Sequence, residues 1–208
     1  MLARPARARL SCLLLCCLGS APLASVGCGN STSAPAKAAA PGADLDPVIT
    51  LTPGLVLERV CVPTGPELCF NAIDDNCNGV LDEGCGVHTG LVQFAIAWSE
   101  ADADVDLEVT DPSGELVEVG RVSDSGLIKE RDCPGTRNEC LGQNLENVFL
   151  EEGEPARGKY VVVVRLEKLG VSAPPLEVTL GARVGPKTFA ARIKLNADHD
   201  QVKIVFDL

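Results

Sequence analysis

The chain has 208 residues, a formal net charge of −11 at pH 7, and a composition that is 46% hydrophobic but only 3% aromatic. This length is enough for a domain with its own core. The acidic balance repels phosphate backbones, which argues against nucleic acid as a partner. Ten cysteines, without zinc-ligand spacing, place the chain in an oxidising compartment where they pair as disulfides.

At the N-terminus Arg4, Arg7 and Arg9 precede the apolar run Leu10 to Leu18, and Ser25-Val26-Gly27-Cys28 offers a small-residue cleavage site. Residues 1–27 therefore read as a secretory signal peptide. The run is too short to span a bilayer, and no later segment reaches about 18 apolar residues. Losing this segment removes three arginines and no acids, taking the formal charge from −11 to −14. The balance suits cation binding and solubility. Cys28, after a small residue and before Gly29, Asn30 and a Ser/Ala/Pro tract, resembles the lipobox of bacterial lipoproteins, with Ser25 standing where leucine is usual. The resemblance implies lipidation of Cys28 and a membrane anchor. The alternative is ordinary cleavage that leaves a spare thiol, a liability in a secreted protein. Residues 28–60 then form an Ala/Pro/Ser-rich tether, disordered at least to residue 44. Within it Val48–Leu51 is a strand candidate, and Leu55 to Val60 is a second apolar patch.

A cysteine-rich module follows over residues 61–86. Cys61, Cys69, Cys77 and Cys85 lie eight residues apart, wider than the two to four residues between paired zinc ligands. Once Cys12, Cys16 and Cys17 leave with the signal and Cys28 is lipidated, these four remain with Cys133 and Cys140, enough for three bridges. Cys133 and Cys140 are close enough to pair locally; the connectivity of the other four stays open. Between them Asp74-Asp75-Asn76-Cys77-Asn78-Gly79 opens like a calcium loop, with oxygen ligands at positions 1, 3 and 5 and a turning glycine at 6. Asp74, Asn76 and Asn78 supply side-chain oxygens, Val80 a backbone carbonyl, and Asp82 stands at position 9. Cys85 occupies position 12, where a bidentate glutamate is expected, so Glu83 at position 10 is the substitute. Two neutral amides weaken the attraction, which predicts the extracellular affinity class, with Kd of about 10⁻⁴ to 10⁻³ M. Asp75 is out of phase and expected to face solvent. In the alternative, the loop is a disulfide staple whose Asp and Asn side chains only cap turns.

From residue 87 to 208 the pattern alternates with period two. Val92, Phe94, Ile96 and Trp98 oppose Gln93, Ala95 and Ala97, and Val105, Leu107 and Val109 oppose Asp104, Asp106 and Glu108. The same alternation runs through 176–184, 189–195 and 202–206. Turn signals at Asp111-Pro112-Ser113-Gly114, Gly185-Pro186 and 196–200 separate the segments. Tyr160 to Leu166 is apolar on both faces and predicts a central strand. No window carries a helical stripe. Seven to nine half-buried strands predict a mainly β fold: an antiparallel β-sandwich, wetted on one face, preceded by a small disulfide-rich loop module. Asp104 and Asp106 share a strand face, and with Asp111 or Asn147 they could hold a second cation; the alternative is a solvated acidic face with Asp111 capping a turn. His88 and His199 lack a nucleophile in a catalytic setting such as G-x-S-x-G. Glu151, Glu152 and Glu154 show no convergence across a cleft. Trp98 and Tyr160 read as core.

Two resemblances add to this. Cys69, Asn71, Ile73, Asp74, Asp75, Asn76, Cys77, Asn78, Gly79, Asp82, Glu83 and Cys85 resemble the metal-binding repeat of MopE-type surface proteins, departing at Ala72, Asn76 and Asn78. Copper is not carried over, since the segment lacks histidine and methionine ligands. Trp98, Ala103 to Leu107, Asp111 to Gly114, Glu146 to Phe149 and Gly158-Lys159-Tyr160 resemble the YfaP-like domain of secreted bacterial proteins, which implies a sandwich and no established activity. The expected protein is a non-enzymatic envelope lipoprotein, exported to the outer membrane or cell surface of a bacterium, with the periplasm as the alternative. It would be calcium-stabilised and would bind another envelope protein or a glycan. The rivals are a structural accessory with a metal-free stapled loop and a small hydrolase.

Overall fold

The computed structural model describes residues 45–134, 140 and 142–208. The signal peptide, Cys28 and the first part of the tether lie outside the described residues.

Nine strands are present among them: β1 Val48–Leu51, β2 Val92–Trp98, β3 Asp104–Thr110, β4 Leu127–Arg131, β5 Leu145–Leu150, β6 Lys159–Lys168, β7 Leu176–Val184, β8 Lys187–Leu195 and β9 Gln201–Asp207. They form two antiparallel sheets, ordered β1-β9-β6-β3 and β4-β5-β2-β7-β8. The antiparallel sandwich expected from the alternation is therefore present. The period-two pattern puts one aliphatic row from each sheet into the shared core. Phe206 at its centre lies 5.2 Å from Phe94 and 6.0 Å from Phe189, ring to ring. Tyr160 is buried beside them and satisfies its hydroxyl by donating to the Ala156 carbonyl at 2.9 Å. Strand β6 is interior to its sheet, between β9 and β3, as its valine run predicts.

Two expectations need correction. The tether does not extend to residue 60. Strand β1 pairs with β9 from Val48↔Asp207 to Leu51↔Ile204, and Leu45, Ile49, Leu51, Leu55 and Leu57 pack on the core. These side chains gain more from burial than a polar tether sequence could, so the folded part begins by residue 45. Strand β2, expected to be wet on one face, is buried at all seven positions. Residues 61–86 lie over that outer face instead of forming a separate module. Ala72 and Val87 close with Ala95, Ala97 and Leu145 into a second small cluster, against which Phe70 and Cys85 pack.

The covering is tight where the sheet offers Ala95, Ala97 and Gly181 beneath it. A Cβ on Gly181 of β7 would lie 2.1 Å from the Ala72 carbonyl oxygen, so only glycine admits this approach. The layer is internally stapled by Cys61–Cys77 and Cys69–Cys85, each spanning 16 residues. Cys133 pairs with Cys140, as their proximity suggests.

Candidate functional site

The loop that opens at Asp74 folds around its own side chains. Asp74 Oδ1 accepts the Asn78 N–H at 3.0 Å, and Oδ2 accepts the Gly79 N–H at 2.9 Å. Gly79 has φ of +87°, the left-handed turn that position 6 requires. Asn76 Oδ1 accepts the Asn78 N–H at 3.0 Å and Asn78 Oδ1 accepts the Val80 N–H at 2.9 Å. Each of these oxygens therefore holds a turn of the loop.

Glu83 reaches back as expected of a substitute for position 12. Its Oε1 accepts from Asn76 Nδ2 at 2.5 Å and from Asn78 Nδ2, while Oε2 is buried with no hydrogen-bond partner. Asp74, Asn76, Asn78 and Glu83 are thus brought together. Asp82 serves elsewhere: it is fully buried, and its two oxygens accept the N–H groups of Asn71 at 3.2 Å and Ala72 at 3.0 Å. It pins the covering layer at the point where Ala72 meets Gly181.

Asp75 does not face solvent. It is buried and accepts from Thr64 Oγ1 at 2.9 Å, Leu68 N–H at 3.2 Å and Asn71 Nδ2 at 2.8 Å. The reason is the paired disulfides, which fold residues 61–71 back over the loop and surround the out-of-phase position.

Glu67, which the sequence reading missed, accepts the N–H groups of Asp75 at 3.1 Å and Asp82 at 2.9 Å. Burial, and then the charge of Glu83, push its pKa up to about 7. A cation between the two carboxylates would relieve that repulsion. The loop is also anchored to the sandwich, since Thr188 Oγ1 of β8 donates to Asp74 Oδ2 at 2.9 Å.

The second acidic site takes a different form from the one expected. Asp106, Asp132 and Glu146 each present a carboxylate oxygen, all within 4.8 Å of one another, an acidic triad that could hold a metal ion. Of the four residues expected there, only Asp106 belongs to it. Lys129 also stands in this cluster, with Nζ 3.1 Å from Asp132 Oδ1 and 3.0 Å from Glu146 Oε2. Burial opposes its charge, yet Glu146 and Asp132 outweigh burial and hold its pKa above the usual lysine value. Burial pushes Asp106 up to about 6.

Glu146 is fully buried and accepts the N–H of Leu107 at 2.7 Å and of Cys133 at 2.9 Å. It joins the edge strand β3 of one sheet to the β4–β5 side of the other. The Lys129 ammonium thus neutralises a corner of the sandwich, and a metal ion would have to displace it. An inward-facing lysine in the alternating run Leu127, Lys129, Arg131 was the available signal, and the sequence reading did not assign that strand.

Asp111 caps the turn after β3, receiving the Ser113 N–H at 2.9 Å, the Glu115 N–H at 3.0 Å and the hydroxyls of Ser113 and Ser125, both at 2.5 Å. Burial works against its charge, and these donors outweigh it, holding the carboxyl far below the usual range. Asn147 lies on the other face of β5, donating to the His88 carbonyl and to Glu130, both at 2.8 Å, and accepting from Gln93 at 3.1 Å. Neither joins a cation site with Asp104 and Asp106: Asp111 spends its oxygens on the turn, and the alternation of β5 sends Glu146 inward and Asn147 outward. His88 stacks on Phe149 at 5.2 Å and meets Glu130 at 3.1 Å, while the exposed His199 lies 3.5 Å from Glu167.

No protein-family model, curated protein or solved structure matches the chain.

Proposed function

We propose that this is an exported, non-enzymatic binding protein of the bacterial envelope, tethered through a lipid on Cys28, whose disulfide-stapled loop is stabilised by calcium. Its sandwich presents a surface to another envelope component. The observation that carries the cation is Glu83, drawn toward Asn76 and Asn78 with one carboxylate oxygen buried and unpartnered. A buried carboxylate oxygen without a donor is costly, and a hard cation is the partner that hydrogen bonds within the loop do not supply. Asp74, Asn76, Asn78, the Val80 carbonyl and Glu83 would hold it. Calcium would supply charge neutralisation and a fixed loop.

The metal-free staple is the second reading, and the full engagement of Asp75 and Asp82 by hydrogen bonds favours it. Calorimetric titration of the mature oxidised protein with calcium separates the two. Heat with Kd of about 10⁻⁴ to 10⁻³ M supports the cation, and no heat up to about 10 mM supports the staple. The Glu83→Gln variant should lose the heat. Intact mass from the membrane fraction tests the anchor: an unlipidated mature N-terminus removes it.

A further inference from the structure

At one corner of the sandwich a buried amine meets carboxyl groups from both sheets. Lys129 projects from β4, at an edge of the five-stranded sheet, and its side chain is 9% exposed. Asp106 projects from β3, at an edge of the four-stranded sheet. Glu146 of β5 links the two sides, receiving the Lys129 ammonium at 3.0 Å and the Leu107 N–H at 2.7 Å. One oxygen each of Asp106, Asp132 and Glu146 lies within 4.8 Å of the others. Lys129 Nζ pairs with Asp132 and Glu146, and a turn of its flexible stem can carry it toward the third carboxyl. A recess of about 290 Å³ opens beside them, lined by Asp106, Lys129 and Asp132 and walled by Val117 and Val119. Its remaining acids are Glu108, paired with Arg165, and the exposed Glu118.

We propose that Lys129 and Asp106 close an intramolecular isopeptide bond that cross-links the two sheets. The ion-paired cluster is the form before closure, and the bond stands apart from both calcium and the lipid anchor. Asp106 is the acceptor. Burial pushes its pKa up to about 6, so part of it is the neutral acid, the form that takes an amine's lone pair. Arg165 approaches it at 3.6 Å but is shared with Glu108 and Glu167. Asp132 is not the acceptor, since its side chain is 49% exposed and stays ionised. Burial opposes its charge, yet Lys129 outweighs burial and holds its pKa below the usual range.

Glu146 carries the proton. Lys129 begins as an ammonium, and one of its protons passes along the 3.0 Å contact to the Glu146 carboxylate. Burial has pushed that carboxyl up to about 8, which brings it nearer to the lysine than an exposed glutamate would be. The free amine adds to Asp106 Cγ. A second proton moves from the nitrogen to the hydroxyl, the C–O bond breaks, and water leaves through the recess. The products are a neutral amide, one water and Glu146 as the carboxylic acid, the form its burial favours. The step consumes no co-reactant, and the fixed approach of amine to acid replaces activation by another molecule. The stability that the bond adds comes on top of the cluster's own.

The test is the intact mass of the folded mature protein, read after reduction and denaturation. Relative to Lys129→Arg, which cannot close, wild type should be lighter by one water beyond the substitution itself. Tandem mass spectrometry of a tryptic digest should find a branched peptide joining Lys129 to Asp106. Asp106→Ala should keep its full mass. Asp106→Asn should still close but release ammonia instead of water, a signature that dehydration elsewhere in the chain does not imitate. Glu146→Gln, checked for folding by circular dichroism, should close about 100-fold more slowly after refolding. The proposal is overturned if folded wild type keeps its full mass, or if the missing water maps to a succinimide or to Asp132. It is equally overturned if folded Glu146→Gln closes at the wild-type rate. Should that variant fail to fold, the linkage found in wild type and the ammonia lost from Asp106→Asn decide.

Discussion

Replacing Gly181 by alanine should lift the cysteine-rich layer from the sheet. The added Cβ would stand 2.1 Å from the Ala72 carbonyl oxygen and 3.1 Å from Leu81 Cδ1. An ordinary contact begins near 3.4 Å, so backbone must move by more than 1 Å. Local yielding is blocked, because Ala72 is held by Asp82 and lies within the loop closed by Cys69–Cys85. The layer must therefore tilt as a unit and admit water to Ala95, Ala97 and Leu145, all buried beneath it. Overpacking of this kind costs about 1–3 kcal/mol, and for a domain of this size about 2 kcal/mol corresponds to a fall of roughly 4–8 °C in Tm. Thermal and urea unfolding of the oxidised variant, followed by circular dichroism, reads the effect. Glu177→Ala, an exposed change on the same strand, should stay within about 0.5 kcal/mol of wild type. If Gly181→Ala is equally mild, the layer does not sit on β7 as described.

Three further outcomes follow from the same packing. Burial pushes the Glu146 carboxyl up to about 8 even beside the ammonium, so in Lys129→Met it takes a proton at neutral pH, and the loss in urea unfolding should be about 1–3 kcal/mol from the cluster alone; a loss below about 1 kcal/mol would mean that the cluster is not energetically coupled. Asp111→Asn should destabilise the protein at pH 7, because the carboxylate's depressed pKa contributes stability above the unfolded value of 3.8. That contribution is lost as pH falls through the folded value, so the gap between variant and wild type should close in acid; a gap constant with pH refutes the cap. Opening the Cys61–Cys77 bridge, which spans 16 residues, by paired alanine substitution should cost about 3 kcal/mol. The far-ultraviolet β signal should persist, and its collapse would show that the sandwich cannot hold without the layer.

Much of the sandwich was legible because burial of one face imposes period two, as in β3, β7 and β8. Local disulfide pairing of Cys133 with Cys140 was legible from proximity. The covering layer was not, because Gln93, Ala95 and Ala97 look like a wetted face when read along one strand. The smallness of Ala95 and Ala97 is in fact what close approach of another backbone requires, and Gly181 on the neighbouring strand carries the same mark. Asp75 misled for a related reason: alternation within a loop says which way a side chain starts, and a disulfide can bring a second segment to meet it. The pairing of Lys129 with Glu146 was not legible because charged residues usually mark the solvent face, whereas here opposite charges meet inside a corner between two sheets. Glu67 lay outside the loop pattern and enters it only because the chain doubles back.

The central claim, that the loop is a cation seat built into the sandwich, is tested most directly by scanning calorimetry of the mature oxidised protein with and without 10 mM calcium, a concentration of roughly ten times a Kd of about 10⁻³ M. Binding at that ratio adds about 1.4 kcal/mol, a rise of about 3–5 °C in a single transition that carries loop and sandwich together. An unchanged melting temperature, or two transitions of which calcium moves only one, would contradict it.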